Sequence, residues 1–293
     1  MKQQKSLIIL VVVLVLSILA CDTSGIFVQN SLGTAERGSG NVVEETRPVS
    51  GVNGVDLATI GDVIIQLGDE ESLRIEAEDN LMKFFETQVR GGILRINTNP
   101  KSVNLRPTKP VRFFLTVKEL EEVSISGSGD IRVPDLEADR FSVDIGGSGD
   151  VNMGNLNADS FSIDIGGSGD VRTERVKVPT FEVDINGSGD INLRELIAEN
   201  LKLDVNGSGN LGIEDGQTGD QDIDINGSGN FQAGDMASKT AIIRIGGSGG
   251  ITVWVTESLD VRIFGSGNVR YYGRPSVSSS GNGSGDITSL GEK

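Results

Sequence analysis

The most regularly spaced side chains that could do chemistry are aspartates. On a strand face, one series of them points outward with neighbours about one strand spacing apart, where two like charges repel by about 1 kcal/mol in water. Three interpretations stay open: a solvated face that discourages sheet aggregation, a strip that binds cations or a partner, and a catalytic carboxylate pair. This series, the acidic column, repeats every 20 residues and is interrupted only at Arg244; it comprises Asp144, Asp164, Asp184, Asp204 and Asp224.

A second series follows each Gly-Ser-Gly motif. Its exchange of Asp for Asn within one chain indicates a hydrogen-bonding turn residue and not a required charge. The GGSGD runs resemble a calcium-binding nonapeptide, but the Asp comes one residue early and the nine-residue period is absent. We expect no cofactor, with calcium as the one candidate ion. The series is Asp130, Asp150, Asp170, Asp190, Asn210, Asn230, Gly250, Asn268 and Asp286.

The composition restricts catalysis. The 293 residues include no His and one Cys, which excludes Ser-His-Asp and Cys-His pairs, His-ligated zinc and an internal disulfide. A polysaccharide-active β-helix enzyme would need a carboxylate and Arg cluster in a groove, and the repeats are poor in Lys, Arg and aromatic residues. We therefore predict no enzyme and no catalytic residues, with that enzyme class as an alternative. The net charge of −16 argues against nucleic acid and anionic membrane surfaces as partners.

The N-terminus indicates export. Two lysines in Met1–Lys5 precede the apolar run Leu7–Leu16, and Ile18-Leu-Ala-Cys21 resembles a bacterial lipobox. We predict a lipoprotein signal peptide at 1–20, lipidation of Cys21 and a polar tether at 21–39. An uncleaved signal anchor is the alternative. The expected location is the cell envelope, membrane-anchored and extracytoplasmic.

The elements that must position these side chains repeat along the chain. Gly-Ser-Gly begins at a step of 20 residues and, in the last two copies, 18, which is typical of a solenoid. We predict an all-β, single-stranded right-handed parallel β-helix with regular coils at 121–293 and a less regular, strand-rich part at 40–120. Its glycines are expected at sharp turns or positive φ. The motif begins at Gly127, Gly147, Gly167, Gly187, Gly207, Gly227, Gly247, Gly265 and Gly283.

Period-two alternation assigns the inward face of each coil. One predicted aliphatic ladder stacks the same position from coil to coil: Ile125, Ile145, Ile165, Ile185, Val205, Ile225 and Ile245. Three coils have these predicted inward sets: Phe141, Val143, Ile145, Val151, Met153, Leu156 and Ala158; then Phe161, Ile163, Ile165, Val171, Thr173, Val176 and Val178; then Phe181, Val183, Ile185, Ile191, Leu193, Leu196 and Ala198.

The first half is expected to be the same solenoid with looser coils. Val55–Leu67 predicts two strands around Gly61-Asp62, in which Thr59–Val63 looks like a worn copy of the later turn. Asn80–Glu86 favours one helical turn, and the proline-containing stretch Lys101–Pro110 favours a loop. At the other end, all three Trp and Tyr residues, Trp254, Tyr271 and Tyr272, predict a cap or self-association surface in preference to a ligand platform.

The chain resembles a known family of bacterial envelope proteins, the auto-transporter adhesins with a head GIN domain. The resemblance rests on Arg47-Pro-Val-Ser-Gly51, Gly61-Asp-Val-Ile-Ile-Gln66, Gly92-Ile-Leu-Arg-Ile-Asn97 and the Gly-Ser-Gly-Asp turns from Gly127, and it covers roughly 38–286. It implies a single-stranded β-helix, lipid-anchored or secreted. The family carries no established catalytic residues to transfer.

These observations favour a non-enzymatic, envelope-anchored structural or adhesive rod. Its expected partners are the membrane, through the lipid anchor, and a surface polymer, a protein or further copies of the chain. Besides the enzyme, two alternatives remain: a cation-dependent binding module that uses the acidic column, and a self-associating membrane-stress scaffold.

Overall fold

A computed structural model describes residues 35–293. The predicted signal peptide, Cys21 and most of the predicted tether lie outside the described residues. No helix within the described range is long and apolar enough to cross a membrane.

Strands make up nearly the whole fold. The N-terminal part contains β1 (Ala35–Arg37), β2 (Val42–Arg47), β3 (Gly54–Ala58), β4 (Asp62–Leu67), β5 (Ser72–Glu78), the one-turn helix α1 (Asp79–Met82), β6 (Phe85–Arg90), β7 (Ile93–Thr98), β8 (Asn104–Arg106) and β9 (Arg112–Val117). The regular part contains β10 (Glu122–Ile125), β11 (Ile131–Val133), β12 (Leu136–Ile145), β13 (Val151–Met153), β14 (Leu156–Ile165), β15 (Val171–Ile185), β16 (Ile191–Val205), β17 (Leu211–Ile225), β18 (Phe231–Ile245), β19 (Ile251–Ile263), β20 (Val269–Tyr272), β21 (Ser276–Ser280) and β22 (Ile287–Gly291).

The regular part is a parallel β-solenoid, which confirms the predicted fold class. Each coil pairs with the next in register, so that Phe141 lies beside Phe161 and Phe161 beside Phe181. From β19 onward the step is 18 residues, with Leu259 beside Val277. The difference of two residues arises between β18 and β19: Gly234–Met236 have no partner on β19, and β19 has one extra residue between Val255 and Ser258.

The predicted inward positions form the core. Every member of the aliphatic ladder is fully buried, and of the three predicted inward sets only Ala198 is partly exposed. Phe161 stacks on Phe141 and Phe181 with ring centroids 5.8 and 5.1 Å apart. Such aromatic pairs contribute about 0.5–1.5 kcal/mol beyond their buried area. Copy-to-copy packing of like side chains therefore holds the coils together.

One inward position breaks the pattern. Gln221 stands in the column of Phe181, Leu201 and Ala241 and is 1% exposed. Neither its amide nitrogen nor its carbonyl oxygen has a hydrogen-bond partner among the described residues. An unsatisfied buried amide costs stability, so this coil carries a local defect.

The motif glycines lie at turns, as expected, but they serve close stacking and not positive φ. None of the Gly-Ser-Gly glycines has positive φ. At Gly167, a Cβ would lie 2.0 Å from the carbonyl oxygen of Gly147 in the preceding coil. The Ser168 N–H instead donates to that same oxygen at 2.9 Å. Glycine is needed because the backbone of one turn rests directly on the backbone of the next.

The N-terminal part is only partly the same solenoid. β3 and β4 pair in parallel with β10 and β11, so the predicted worn coil around Thr59–Val63 is real. β2 and β5, β5 and β9, and β6 and β7 are antiparallel pairs, so the expectation of looser coils throughout was wrong there. The β6–β7 pair has a local cause, because Gly91 and Gly92 both have positive φ and close a two-residue hairpin between these strands.

The first described residues are held against the N-terminal part by a strand pair and by hydrogen bonds to a buried carboxylate. β1 pairs in parallel with β8, so Ala35–Arg37 of the predicted tether and part of the predicted loop Lys101–Pro110 are strands. The predicted helical turn is α1, slightly earlier than expected. The fully buried Glu78 carboxylate accepts hydrogen bonds from the Gly40 N–H at 2.6 Å and from the Thr108 hydroxyl and N–H at 2.5 and 2.8 Å.

The C-terminal coil is the exposed end of the stack. β21 and β22 pair only with β19 and β20, leaving their other edges unpaired within the described chain. In this last coil, Ser279 and Gly281 occupy inward positions that are aliphatic in earlier coils. Two large apolar side chains, Val277 and Leu290, remain exposed. The opposite end is covered by the antiparallel strands of the N-terminal part. The two ends of the solenoid are therefore unlike.

Candidate functional surfaces

The acidic column lies on the outer face of the strands that precede each Gly-Ser-Gly turn. The registers place Asp144 beside Asp164, and the remaining three aspartates follow in neighbouring coils. Asp144 and Asp164 are exposed, and the other three are half-buried. The structure thus brings all five predicted carboxylates into one line at the spacing of neighbouring parallel strands, about 4.8 Å.

Burial and mutual repulsion raise the pKa of three of these carboxylates. Partial burial, reinforced by the charge of Asp164 and of Asp56, raises the pKa of Asp144. Burial and the nearby Asp204 likewise raise the pKa of Asp184 and of Asp224. A cation on this face would relieve that repulsion, whereas a further anion would increase it.

Basic residues bound the column at both ends. On the N-terminal side the stack continues through Ser124 to Asp56, and the Arg95 guanidinium lies 3.5 Å from the Asp56 carboxylate. On the C-terminal side the same position is occupied by Arg244 and then Arg262. These arginines, which sequence reasoning noticed only at Arg244, limit the acidic surface to a defined length.

One lysine lies within the acidic face. The Lys202 ammonium group is 2.6 Å from the Glu182 carboxylate and 3.4 Å from that of Asp204. Its hydrogen bond to Glu182 raises the pKa of Lys202, so this side chain stays charged. Because the groups are largely exposed, the pairs contribute little to stability but reduce the repulsion at the middle of the column.

The turn series has a different role from the acidic column, because its side chains form hydrogen bonds between neighbouring coils. Each turn oxygen accepts the backbone N–H of the equivalent residue in the next coil, as in Asp150 to Asp170 at 2.9 Å and Asp170 to Asp190 at 2.8 Å. Asn210 and Asn230 continue the same ladder through their side-chain oxygens. The prediction that this residue acts in hydrogen bonding and needs no charge is confirmed by the Asn copies, although the carboxylates of Asp150 and Asp170 also pair with Arg172 at 3.0 and 2.7 Å.

An asparagine ladder, which the sequence analysis missed, runs beside the turns. The Asn206 amide donates to the Asn186 side-chain oxygen at 3.2 Å, and the Asn226 amide donates to Asn206 at 3.3 Å. The repeat of Asn every 20 residues just before Gly-Ser-Gly was the available signal. These amides order the outer surface without adding charge.

A carboxylate and arginine cluster of the kind that the enzyme alternative requires is present on another face. A groove of about 270 Å³ is lined by Glu174, Arg175, Arg194, Glu195 and Asp215. Arg175 pairs with Glu195 at 2.6 Å and Arg194 with Glu174 at 3.1 Å, each across one coil step. Both arginines are thus occupied in ion pairs that bridge neighbouring coils.

The Trp and Tyr residues lie near the C-terminal end. Trp254 and Tyr272 lie side by side in neighbouring coils, and the Lys293 ammonium lies 5.8 and 4.7 Å from their ring centres. Tyr271 is partly buried and packs against the core. β22 lies one coil beyond both tyrosines, so the terminal edge itself belongs to β21 and β22.

A family model matches most of this chain. It is described as "putative auto-transporter adhesin, head GIN domain" and matches residues 52–215 and 173–275. The chain belongs to this family. The predicted resemblance is therefore confirmed.

Solved structures show the same fold as this head GIN domain. A putative adhesin from Parabacteroides distasonis is 19% identical with a TM-score of 0.65, covering 87% of this chain and all of its own. A putative adhesin from Parabacteroides merdae is 18% identical with a TM-score of 0.63, covering 88% and 99%. A protein from P. distasonis described as a putative lipid binding protein is 26% identical with a TM-score of 0.56, covering 88% and 100%. No curated protein sequence matches.

The head GIN domain offers no assembled metal centre within residues 35–293, where no group of three or more Asp, Glu or Cys side chains is arranged to hold an ion. Its outer surface consists instead of parallel columns of repeated side chains. Such a surface is suited to repeated weak contacts along a line.

Proposed function

We propose that this chain is a non-enzymatic adhesive rod, displayed outside the cell and held to the envelope by lipid on Cys21. The observation that carries the proposal is the register of the coils, which repeats each outward position along one line. The description of the family as adhesins supports the same role. The missing histidines and the ion-paired arginines of the groove favour attachment over catalysis.

The mechanism is multivalent contact. A single exposed carboxylate binds a cationic group weakly, because water screens the charge. Once one contact has formed, the next carboxylate lies about 4.8 Å away on the same rigid face and meets its partner at high effective concentration. Several weak contacts in a line therefore give long attachment without a deep pocket.

The partner best suited to this face is a polymer or protein that carries regularly spaced positive charges. Five aspartates form an unbroken run, and the raised pKa of Asp144, Asp184 and Asp224 reflects partial burial together with a mutual repulsion that a cationic partner would relieve. The net charge of −16 disfavours anionic surfaces.

The proposed anchor suits this display. The described chain begins at β1, whose pairing with β8 and whose clamp around Glu78 join the entering chain to the N-terminal part. A lipid on Cys21 would therefore hold the rod from that part and leave the solenoid free to extend from the membrane. Mass spectrometry of the membrane fraction tests this: diacylated Cys21 is expected, and an intact, unlipidated leader would contradict it.

Binding to immobilised chitosan tests the adhesive role, with its N-acetylated, uncharged counterpart as the reference polymer. We expect slow dissociation from chitosan alone, weakened at least ten-fold in Asp164→Asn/Asp184→Asn/Asp204→Asn. The matched control is Asp150→Asn/Asp170→Asn/Asp190→Asn, which removes equal charge from the turn ladder but retains an oxygen acceptor. Equal binding to both polymers, or equal loss in both triple variants, would contradict the proposal.

Repeating the chitosan experiment with added calcium and with a chelator distinguishes the adhesive proposal from the cation-dependent alternative. The adhesive proposal predicts that chelator leaves chitosan binding unchanged and that calcium competes with it. Attachment that requires calcium and disappears in the Asp164→Asn/Asp184→Asn/Asp204→Asn variant would instead favour the cation-dependent module.

A second candidate role is self-association through the C-terminal coil. Its support is the unpaired edge of β21 and β22, next to the exposed Val277 and Leu290. Because antiparallel strands cover the opposite end, the copy best suited to this edge presents its own C-terminal coil, which gives a closed pair and not a fibre.

Sedimentation of the purified protein tests this second role. A dimer is expected, and Val277→Lys/Leu290→Lys should make it monomeric because two charges would have to be buried at the contact. Leu67→Lys is the control, since Leu67 is about as exposed but lies far from the end. A monomeric wild type at high concentration would contradict self-association.

A further inference from the structure

A cleft of about 510 Å³ lies where the regular coils meet the N-terminal part. The turn after β3 forms one wall, the first Gly-Ser-Gly turn a second, and the end of β7 with the segment 101–105 a third. Gly127 packs against the backbone of Thr59, so the stack of turns continues to this point. Beyond Thr98 the chain leaves the stack, and the cleft opens in the space where a further turn would lie.

The cleft brings two cations together in a strongly acidic protein. Arg95 and Lys101 both line it. Arg95 is half-exposed, and its only carboxylate neighbour in the described chain is Asp56, at the long distance of 3.5 Å. Lys101 has no carboxylate within 4.0 Å among residues 35–293. The charge of this cleft is thus opposite to that of the acidic column.

Neutral polar groups surround the two cations. The lining includes the hydroxyl groups of Thr98, Ser126 and Ser128 and the amides of Asn97 and Asn104. Thr98 bonds to the Thr59 hydroxyl, Ser126 donates to Asp56 and Asn97 donates to Glu86, so these three groups keep only part of their hydrogen-bonding capacity. A ligand with several hydroxyl groups would use the remaining donors and acceptors of the lining.

The remaining lining is aliphatic. Ala58, Ile60, Val103 and Leu105 contribute the apolar surface, and no aromatic side chain takes part. A flat base or ring system has no stacking partner here, whereas a puckered ring with an apolar C–H face fits against these side chains. The volume lies within the range of small-molecule sites, roughly 300–1,000 Å³.

We propose that this cleft binds a carboxylated sugar, such as one uronic acid unit of an acidic polysaccharide. Arg95 and Lys101 would hold the carboxylate, the hydroxyls and amides would bind the ring hydroxyl groups, and Ile60 and Val103 would contact the apolar ring face. This site adjoins the N-terminal end of the acidic column, where Arg95 lies beside Asp56, but it binds an anion where the column favours cations. The rod would thus carry one selective sugar site near its anchored end.

Titration calorimetry of the purified protein with tetragalacturonate tests the assignment, with the corresponding galactose oligomer as the neutral probe. We expect measurable binding of tetragalacturonate, at least ten-fold weaker binding of the neutral probe, and loss of affinity as ionic strength rises. Galactose 6-phosphate distinguishes carboxylate from phosphate recognition. Tighter binding of the phosphate sugar, or equal binding of the neutral probe, would overturn the proposal.

Lys101→Gln and Arg95→Gln should each weaken tetragalacturonate binding at least ten-fold. Arg132→Gln is the matched control, because Arg132 also pairs with an aspartate, Asp62 at 3.2 Å, but lies outside the cleft. Lys101 makes no ion pair in the described chain, so its variant keeps the test valid if Arg95→Gln disturbs folding. Unchanged affinity in Lys101→Gln would refute the site, and chitosan binding should be unaffected in all three variants.

Discussion

Two adjacent glycines, Gly166 and Gly167, give a sharp test of why the repeat contains Gly-Ser-Gly. A Cβ at Gly167 would lie 2.0 Å from the carbonyl oxygen of Gly147, whereas a Cβ at Gly166 meets nothing within 4 Å. Neither glycine has positive φ, so backbone strain does not distinguish them. We predict that Gly167→Ala is strongly destabilising and that Gly166→Ala is not.

The magnitude follows from the displaced oxygen. Real Cβ contacts are essentially never under 3.0 Å, so Gly167→Ala must move two stacked turns apart by about 1 Å and disturb the Ser168 hydrogen bond. Overpacking of this kind costs about 1–3 kcal/mol, which lowers the melting temperature of a domain this size by about 2–12 °C. Gly166→Ala should change stability by less than about 0.5 kcal/mol.

Urea unfolding followed by circular dichroism measures both variants. Gly166→Asn is a further control, because Asn186 already occupies the equivalent position one coil later and would extend the asparagine ladder. If Gly167→Ala is as stable as Gly166→Ala, direct backbone stacking is not the reason for these glycines. Equal destabilisation by both would show that glycine is required here for its flexibility.

Three other predictions concern buried or charged groups. Gln221→Leu should stabilise the protein by about 1–3 kcal/mol in urea unfolding, because it removes an unsatisfied buried amide; destabilisation would show that the amide has a partner. Because the pKa of Asp184 is raised in the folded protein, protonation of Asp184 adds stability as pH falls through the folded value. Thermal melts should show that Asp184→Asn is more stable than wild type at pH 7 and gains less stability toward pH 5. Identical pH profiles of the two proteins would refute this. Burial disfavours ionisation of Glu78, but hydrogen bonds from Thr108, Gly40 and Lys109 lower its pKa overall. The ionised carboxylate therefore stabilises the fold at pH values above its unfolded-state pKa of about 4.3, and this stabilisation is lost as pH falls below that value. The hydrogen-exchange protection factor of the Gly40 amide should therefore fall below about pH 4 and in Glu78→Gln at pH 7, while equal protection throughout would count against the clamp.

The buried ladders were predictable because the solenoid repeats its contacts. Ile165 meets Ile145 and Ile185 simply because the same position recurs one coil earlier and one coil later, so period and alternation were sufficient. The turn role of Asp150 and Asp170 was predictable from the exchange of Asp for Asn. The reason for the glycines was not, because the approach of one backbone to another depends on coil geometry that local sequence does not encode.

Features that depend on non-repeating contacts could not be predicted from the sequence. β1 was assigned to the tether because its partner, β8, is distant in sequence and lies in a stretch that favoured a loop. The cleft unites Arg95, Lys101 and Ser128 from three separate segments. The lipid anchor at Cys21 stays a prediction, as does the right-handed sense of the solenoid.

The central claim is that attachment grows with the number of in-register coils. Deleting residues 161–180 joins Ser160 to Phe181, preserves the register and removes one aspartate of the acidic column, while Asp164→Asn in the full-length chain removes that charge alone. On a chitosan surface, the account predicts that both variants dissociate several-fold faster than wild type, and that a duplicated coil dissociates more slowly. Dissociation rates that do not depend on coil number would contradict the claim.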